Sequence, residues 1–213
     1  MPTSEQINAG GVDARINADA GVDAGLIAQS GLGEVFRAPH FEFDVECIDG
    51  DILARTGERV VKWRDTFRNT VTTEGKNDLL TKYFKGSNYT AAWYVGLVSS
   101  VGWTGTAAGD TAAQINGTNA WKEAATANAP DYDEAVRQTL TLGSAAAGSI
   151  NNTASKAVFT IAAGGTVKGA FICSVSTKDA TTGVLYSAGV FSGGDRIVAD
   201  NDILNISATL SAA

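Results

Sequence analysis

The stretch FEFDVECI, residues 41–48, decides the fold. Phe41, Phe43, Val45 and Cys47 are apolar, and Glu42, Asp44 and Glu46 between them are acidic. A period of two sends successive side chains to opposite faces of an extended chain, so this spacing predicts a half-buried strand. Asp49-Gly50 follows as a turn signal. RVVKWRDTF, residues 59–67, then returns the chain as the second strand of a hairpin, with the four apolar residues of the first facing inward.

The same texture recurs outward from this hairpin. AAWYVGLVSS, residues 91–100, is apolar on both faces and predicts a central, buried strand. AVRQTLTL (135–142), KAVFTIAA (156–163), TVKGAFICSV (166–175) and GVLYSAGVFS (183–192) alternate or are apolar throughout. DILNISATL (202–210) closes the series with Leu204, Ile206, Ala208 and Leu210 on one face. About eight strands, with turns every 8 to 12 residues, predict an all-β antiparallel sandwich. One short helix interrupts them. TTEGKNDLLTKYFKG (72–86) has Thr72 or Thr73 as cap, Glu74 in its first turn, Lys82 and Lys85 near its end and Gly86 to stop it. Its stripe of Leu79, Leu80, Tyr83 and Phe84 is expected to pack in the core.

Composition agrees. In 213 residues there are 24 Gly and 3 Pro, and only 18% of residues are charged. A net charge of −7 argues against a nucleic-acid surface, which needs clustered Lys and Arg. No window approaches ~18 uninterrupted apolar residues, so no membrane span is expected. The chain opens without a basic segment and apolar run, which predicts cytosolic synthesis and gives the four glycosylation sequons no weight.

Chemistry is hard to find. Cys47 and Cys173 lie far apart without metal spacing and read as buried thiols. The single histidine, His40, would have to serve any Ser-His-Asp triad. DYDEA (131–135) lacks the Gly turn and distal Glu of a calcium loop, and Gly31-Leu32-Gly33 has neither a preceding strand nor a useful following helix. No pair of acids is singled out for glycoside cleavage. The expectation is therefore a non-enzyme with no catalytic residues, no cofactor and no metal.

Two regions stand apart from the strands. Residues 1–38 form an extended N-terminal arm, in which Ile7-Asn8-Ala9 leads to Gly11-Val12-Asp13-Ala14 and Ile16-Asn17-Ala18 leads to Gly21-Val22-Asp23-Ala24. Its helix-like portion, DAGLIAQSGL (23–32), is too short to stand alone in water. Residues 39–213 are the sandwich domain. Within it, residues 100–130 make a Gly/Ala/Thr/Asn-rich excursion carrying Trp103 and Trp121, of a length that is usually functional.

An ordered set of short motifs carries a resemblance. It comprises Asn69-x-Val71 with Gly75, Asp78, Leu79 and Leu80; WYVGL at 93–97; GDT at 109–111; and Trp121-x-Glu123. Tyr132 with Arg137, NNTASKAVFTI at 151–161, KGAFI at 168–172, GVLYSAGVF at 183–191 and DILNIS at 202–207 complete it. Across roughly residues 41–210 the chain resembles a widespread group of tailed-bacteriophage virion proteins. It departs from the usual pattern at TNAWKE (118–123), which lacks a His often found before the Trp. The resemblance implies a β-sandwich subunit of a phage particle, without catalysis. Trp121 and Tyr132 then read as anchors that pin the excursion to the sandwich. Glu123 and Arg137 read either as an ion pair beneath it or as unrelated surface charges.

The arm selects a position on the particle. A small-residue arm gains contact area by wrapping neighbours. Ile7, Val12, Ile16, Val22, Leu26 and Ile27 are expected to enter pockets of the major capsid protein and of sibling copies. The resulting expectation is a capsid decoration or minor capsid (cement) protein on the capsid surface. It would be homo-oligomeric, with a trimer among the forms, and would bind neither nucleic acid nor membrane. The alternative is a tail-fibre or lectin-like module in which Trp103 and Trp121 meet host glycans. An exposed Trp platform would favour that module and a buried Trp121 would disfavour it. A polysaccharide depolymerase, the enzyme reading, would need convergent carboxylates in a cleft.

Overall fold

A computed structural model describes residues 39–212 except 87, 90, 91 and 118–120. The arm, with Ile7, Val12, Ile16, Val22, Leu26 and Ile27, lies outside the described residues. The chain forms two antiparallel sheets packed as a sandwich.

In the first sheet, β1 (His40–Ile48) lies between β2 (Val61–Arg68) and the closing strand, Ile203–Ser211. Phe43 pairs with Phe67 and Cys47 with Trp63, and a bulge follows Cys47. The expected inward face holds: Phe41, Phe43, Val45 and Cys47 are between 0% and 3% exposed. Beyond the closing strand the sheet continues through Ala157–Ala163 to Asp131–Tyr132, while Ser149–Asn151 pairs with the closing strand's far end.

The second sheet runs in order β3 (Thr70–Val71), Leu185–Val190, Gly165–Cys173, β4 (Tyr94–Ser99) and β5 (Glu123–Ala124). Gln138–Thr139 pairs with β4, and Arg196–Val198 pairs with Gly165–Cys173. The remaining strands, in chain order, are β6 (Asp131–Tyr132), β7 (Gln138–Thr139), β8 (Ser149–Asn151), β9 (Ala157–Ala163), β10 (Gly165–Cys173), β11 (Leu185–Val190), β12 (Arg196–Val198) and β13 (Ile203–Ser211).

Two clusters explain why β4 is apolar on both faces. Val95 and Leu97 point into the core between the sheets, with Phe43, Phe159, Ile161, Ile172 and Leu204. Val98 points the other way, into a second cluster with Phe171, Cys173, Leu185, Ile115 and Trp121. The 100–130 excursion thus supplies a lid for the outer face of the second sheet. Gly96 makes room beneath it, since a Cβ there would stand 2.3 Å from the Phe171 ring. Both cysteines are free and buried. Burial, with Asp202 nearby, pushes the Cys47 thiol up to about 12.

Four details differ from the sequence expectation. The described residues hold thirteen strands rather than about eight, because six are paired segments of only two or three residues inside connections. AVRQTLTL contributes just Gln138–Thr139. Asp49-Gly50 begins α1 (Gly50–Thr56) instead of a tight turn, so the described residues hold two α-helices, not one. Asp49 accepts a hydrogen bond from the Ile52 N–H as N-cap, and Gly57, at φ 73°, closes the helix in the left-handed conformation glycine favours. The fourth correction concerns the longer helix, α2 (Thr73–Phe84), whose apolar stripe is not core.

Candidate functional site

The polar knot under the excursion comes first. Arg137 and Glu123 form a forked pair, Nε to Oε1 at 2.8 Å and Nη2 to Oε2 at 2.7 Å. Both side chains are fully buried. The remaining guanidinium donors reach the Val175 carbonyl at 3.0 Å, the Ala180 carbonyl at 2.9 Å and Cys173 Sγ at 3.1 Å. The Asp179 N–H donates to Glu123 Oε2 at 2.8 Å, and Arg137 stands 5.1 Å over the Phe171 ring. Burial of this depth is tolerable because the geometry is bidentate and the other donors find partners. Burial lifts the Glu123 carboxyl above its ordinary range even against the guanidinium. For Arg137 burial works to lower the pKa, and Glu123 more than reverses it.

The two aromatic anchors sit on either side of this knot. Trp121 is 1% exposed, donates from Nε1 to Asp110 Oδ2 at 2.9 Å and packs 5.3 Å from Phe171. Tyr132 packs edge-on to Phe159 at 4.9 Å, with Lys178 Nζ over its other face. Burial raises the Tyr132 phenol well above its usual range. The knot therefore ties β5 to the loops at 137 and 175–180 and holds the lid shut. The neighbouring acids are engaged similarly: Asp131 pairs with Lys178 at 2.9 Å, and Glu134 accepts from the Thr160 N–H at 3.0 Å. Among the described residues no group of three or more His, Cys, Asp or Glu is arranged to hold a metal. Trp103, half-buried, lies under Lys168 rather than beside an exposed Trp121.

Among the described residues, the densest group of exposed large apolar side chains lies on α2. Thr72 Oγ1 accepts from the Gly75 N–H at 3.0 Å and donates to the Leu185 carbonyl. Glu74 Oε2 accepts from the N–H groups of Ala112, at 3.0 Å, and Leu185, at 2.7 Å. Gly75 is the one buried residue of the helix, and a Cβ there would lie 2.4 Å from the Tyr186 carbonyl oxygen. The helix is thus docked through its first turn, by a cap, a carboxylate and a missing side chain. Its apolar half projects outward. Leu79 is 39% exposed, Leu80 53%, Tyr83 68% and Phe84 73%, which overturns the expectation that this stripe is core.

Beside it runs an apolar groove of about 190 Å³, lined by Phe41, Leu79, Tyr83, Trp93, Leu140 and Tyr186. Tyr89, 76% exposed, stands at its rim, and Tyr186 closes its floor edge-on to Phe41 and Trp93 at 5.7 and 5.2 Å. Burial, with Asp78 adding its charge, raises the Tyr186 phenol above its ordinary value. An apolar groove flanked by exposed aromatics can bind protein side chains. Sequence reasoning missed this site. The signal available was Gly75, a small residue in the first turn, where a docking contact needs close backbone approach.

No family model matches the chain, and no curated protein matches it.

Proposed function

We propose that this chain is a non-enzymatic structural subunit of a tailed-bacteriophage virion. In this reading it is a capsid decoration or minor capsid protein, made in the host cytoplasm and bound on the capsid surface to major capsid protein and sibling copies. The observation that carries the proposal is the uncovered apolar face of α2 with its groove. The largest contiguous apolar patch on a soluble monomer, on the order of a few hundred Å², is often a contact surface. The resemblance across residues 41–210 supplies the setting, and the arm supplies the grip. The lectin-like alternative is weakened by Trp121, which is buried against Phe171 and cannot stack on a glycan.

Quantitative mass spectrometry of purified particles tests the reading. Hundreds of copies per particle are expected; a handful would move the protein to the tail, and none would remove it from the virion. Deleting residues 2–38 is expected to leave the sandwich folded while incorporation into particles falls sharply. Full occupancy without the arm would refute the gripping role.

A further inference from the structure

We propose that the α2 groove is the receptor for the N-terminal arm of a second copy of this chain. The inference rests on the reading that the arm grips neighbours, and it names the place where a sibling is gripped.

The receptor is built for short apolar pegs. A groove of about 190 Å³ has room for one or two aliphatic side chains, since an apolar cavity of about 150 Å³ accommodates benzene. Tyr83 and Tyr89 line it at 68% and 76% exposure, and Phe84, 73% exposed, adjoins Tyr83. With 150–250 Å² per aromatic side chain, these three leave roughly 300–500 Å² open, as much as the whole largest patch of an ordinary monomer. The occupant must therefore be apolar at intervals and narrow between them. Ile7, Val12, Ile16, Val22 and the adjacent pair Leu26 and Ile27, spaced by Gly, Ala, Asn, Asp and one Arg, have that form, and Ile7 with Val12 recurs as Ile16 with Val22 in a near-identical unit.

Charge points the same way. The exposed side of α2 carries Lys76, and the groove wall carries both Lys82 and Asp78. Residues 7–27 of the arm carry Asp13, Asp19 and Asp23 against the single Arg15, and Asp13 and Asp23 directly follow Val12 and Val22. An apolar peg followed by a carboxylate suits an apolar slot whose border sets Lys76 and Lys82 against the single Asp78. Reach is sufficient: at about 3.3 Å per residue, a segment the length of residues 1–38 spans on the order of 120 Å when extended, several times the width of one domain.

The experiment uses the full-length chain with a benzophenone photocrosslinker in place of Tyr83, mixed with an equal amount of unsubstituted chain labelled with ¹⁵N. After illumination, mass spectrometry identifies the crosslinked peptides. The expected product joins position 83 of the light chain to residues 7–27 of the heavy chain. The yield should fall at least about tenfold when Val12, Val22 and Leu26 are all changed to Asp, with the melting temperature unchanged. K76E/K82E in the substituted chain should lower it by a similar factor.

Crosslinks confined to the light chain's own arm, to the α2 of another copy or to other surfaces, or no crosslink at all, would overturn the proposal. Copies per particle are counted separately. Hundreds of copies with no crosslink between arm and groove would sink this proposal and leave the decoration reading standing. Light–heavy crosslinks in a protein absent from particles would do the reverse.

Discussion

Strand β1 and helix α2 each carry a stripe of four apolar residues, and the two stripes have opposite fates. On β1 the stripe is sealed between the sheets at 0–3% exposure. On α2 it stands in solvent at 39–73%. Periodicity therefore identified each element and one face of each, but it did not say whether that face was covered. What decides coverage is how the element is attached. Strand β1 is held on both edges by backbone ladders, from β2 and β13, so one face must meet the opposite sheet. Helix α2 is fastened in its first turn, through Thr72, Glu74 and Gly75, and the apolar stripe from Leu79 to Phe84 lies beyond that turn with no sheet packed over it.

The sharpest way to break this comparison is to truncate one aromatic from each stripe. Phe43 is fully buried and stacks on Phe67 with ring centroids 5.0 Å apart. Phe43→Ala removes that contact and leaves a cavity, so it is expected to cost about 3–5 kcal/mol in denaturant unfolding. A loss under 1 kcal/mol would mean that the β1 face is not the centre of the core.

The hairpin also carries a carboxylate on its inward side. Asp65 of β2 accepts from the N–H and Oγ of Ser192, at 3.0 and 2.9 Å, and from the N–H of Gly193 at 3.0 Å, and it pairs with Arg196 at 2.6 Å. Burial alone would raise its pKa, but the hydrogen bonds from Arg196, Ser192 and Gly193 outweigh burial and bring it below the ordinary aspartate value of about 3.9. The folded state thus binds this proton less readily than the unfolded chain. The corresponding stability is complete above that value and is lost as pH falls through the lower, folded one. Asp65→Asn should destabilise by about 1.5–3 kcal/mol at neutral pH, as loss of charge-assisted hydrogen bonds does. It should also flatten the acid limb of the stability–pH curve. An acid limb identical to that of the parent would show that Asp65 is not the group responsible.

Gly75→Ala tests the docking of α2. Alanine would gain roughly 0.5–1 kcal/mol of helix propensity, while the overpacking costs about 1–3 kcal/mol. The obstacle is the Tyr186 backbone, not a movable side chain, so the cost should win by about 1 kcal/mol. A stabilised Gly75→Ala protein would show that the first turn is not where the helix is fastened.

The same contrast explains what was legible in the sequence. The long strands were legible because alternation is a direct imprint of a two-sided environment. β4 was legible as central because both its faces are covered, one by the opposite sheet and one by the excursion. The two-residue strands left no mark, since so short a segment has no period. Helix α1 was hidden behind Asp49-Gly50, which serves equally as a hairpin turn and as N-cap plus first residue. Arg55 and Gly57 downstream were the signal that it was a helix. Glu123 and Arg137 were readable as possible partners but not as a buried pair. Their partners on the 175–180 loop lie about forty residues on, and sequence spacing carries no information about that fold-dependent approach. The groove was illegible for the reason that the α2 stripe was misplaced: its walls come from β1, β10, β11, β13, α2 and the connections around residues 89–93 and 140–142, which are far apart in the chain.

The smallest stability effect is expected on α2, where it says most. Leu80→Ser and Phe84→Ser remove side chains that are 53% and 73% exposed, and neither residue belongs to a core cluster. Each substitution should therefore change folding stability by no more than about 0.5 kcal/mol, the range of ordinary surface positions. Phe84 does meet the Tyr83 ring edge-on at 4.9 Å. An aromatic pair of that kind is worth about 0.5–1.5 kcal/mol when both rings are desolvated, but here solvent reaches both, so the lower end applies. A large apolar residue that contributes nothing to folding and still stands in solvent has to be accounted for by something outside the fold. If unfolding of the isolated chain is unchanged while its occupancy on particles drops, the α2 stripe is a contact surface and its contrast with β1 is functional. A loss of 2 kcal/mol or more in the isolated chain would instead place the stripe in the protein's own core, and the contrast with β1 would disappear.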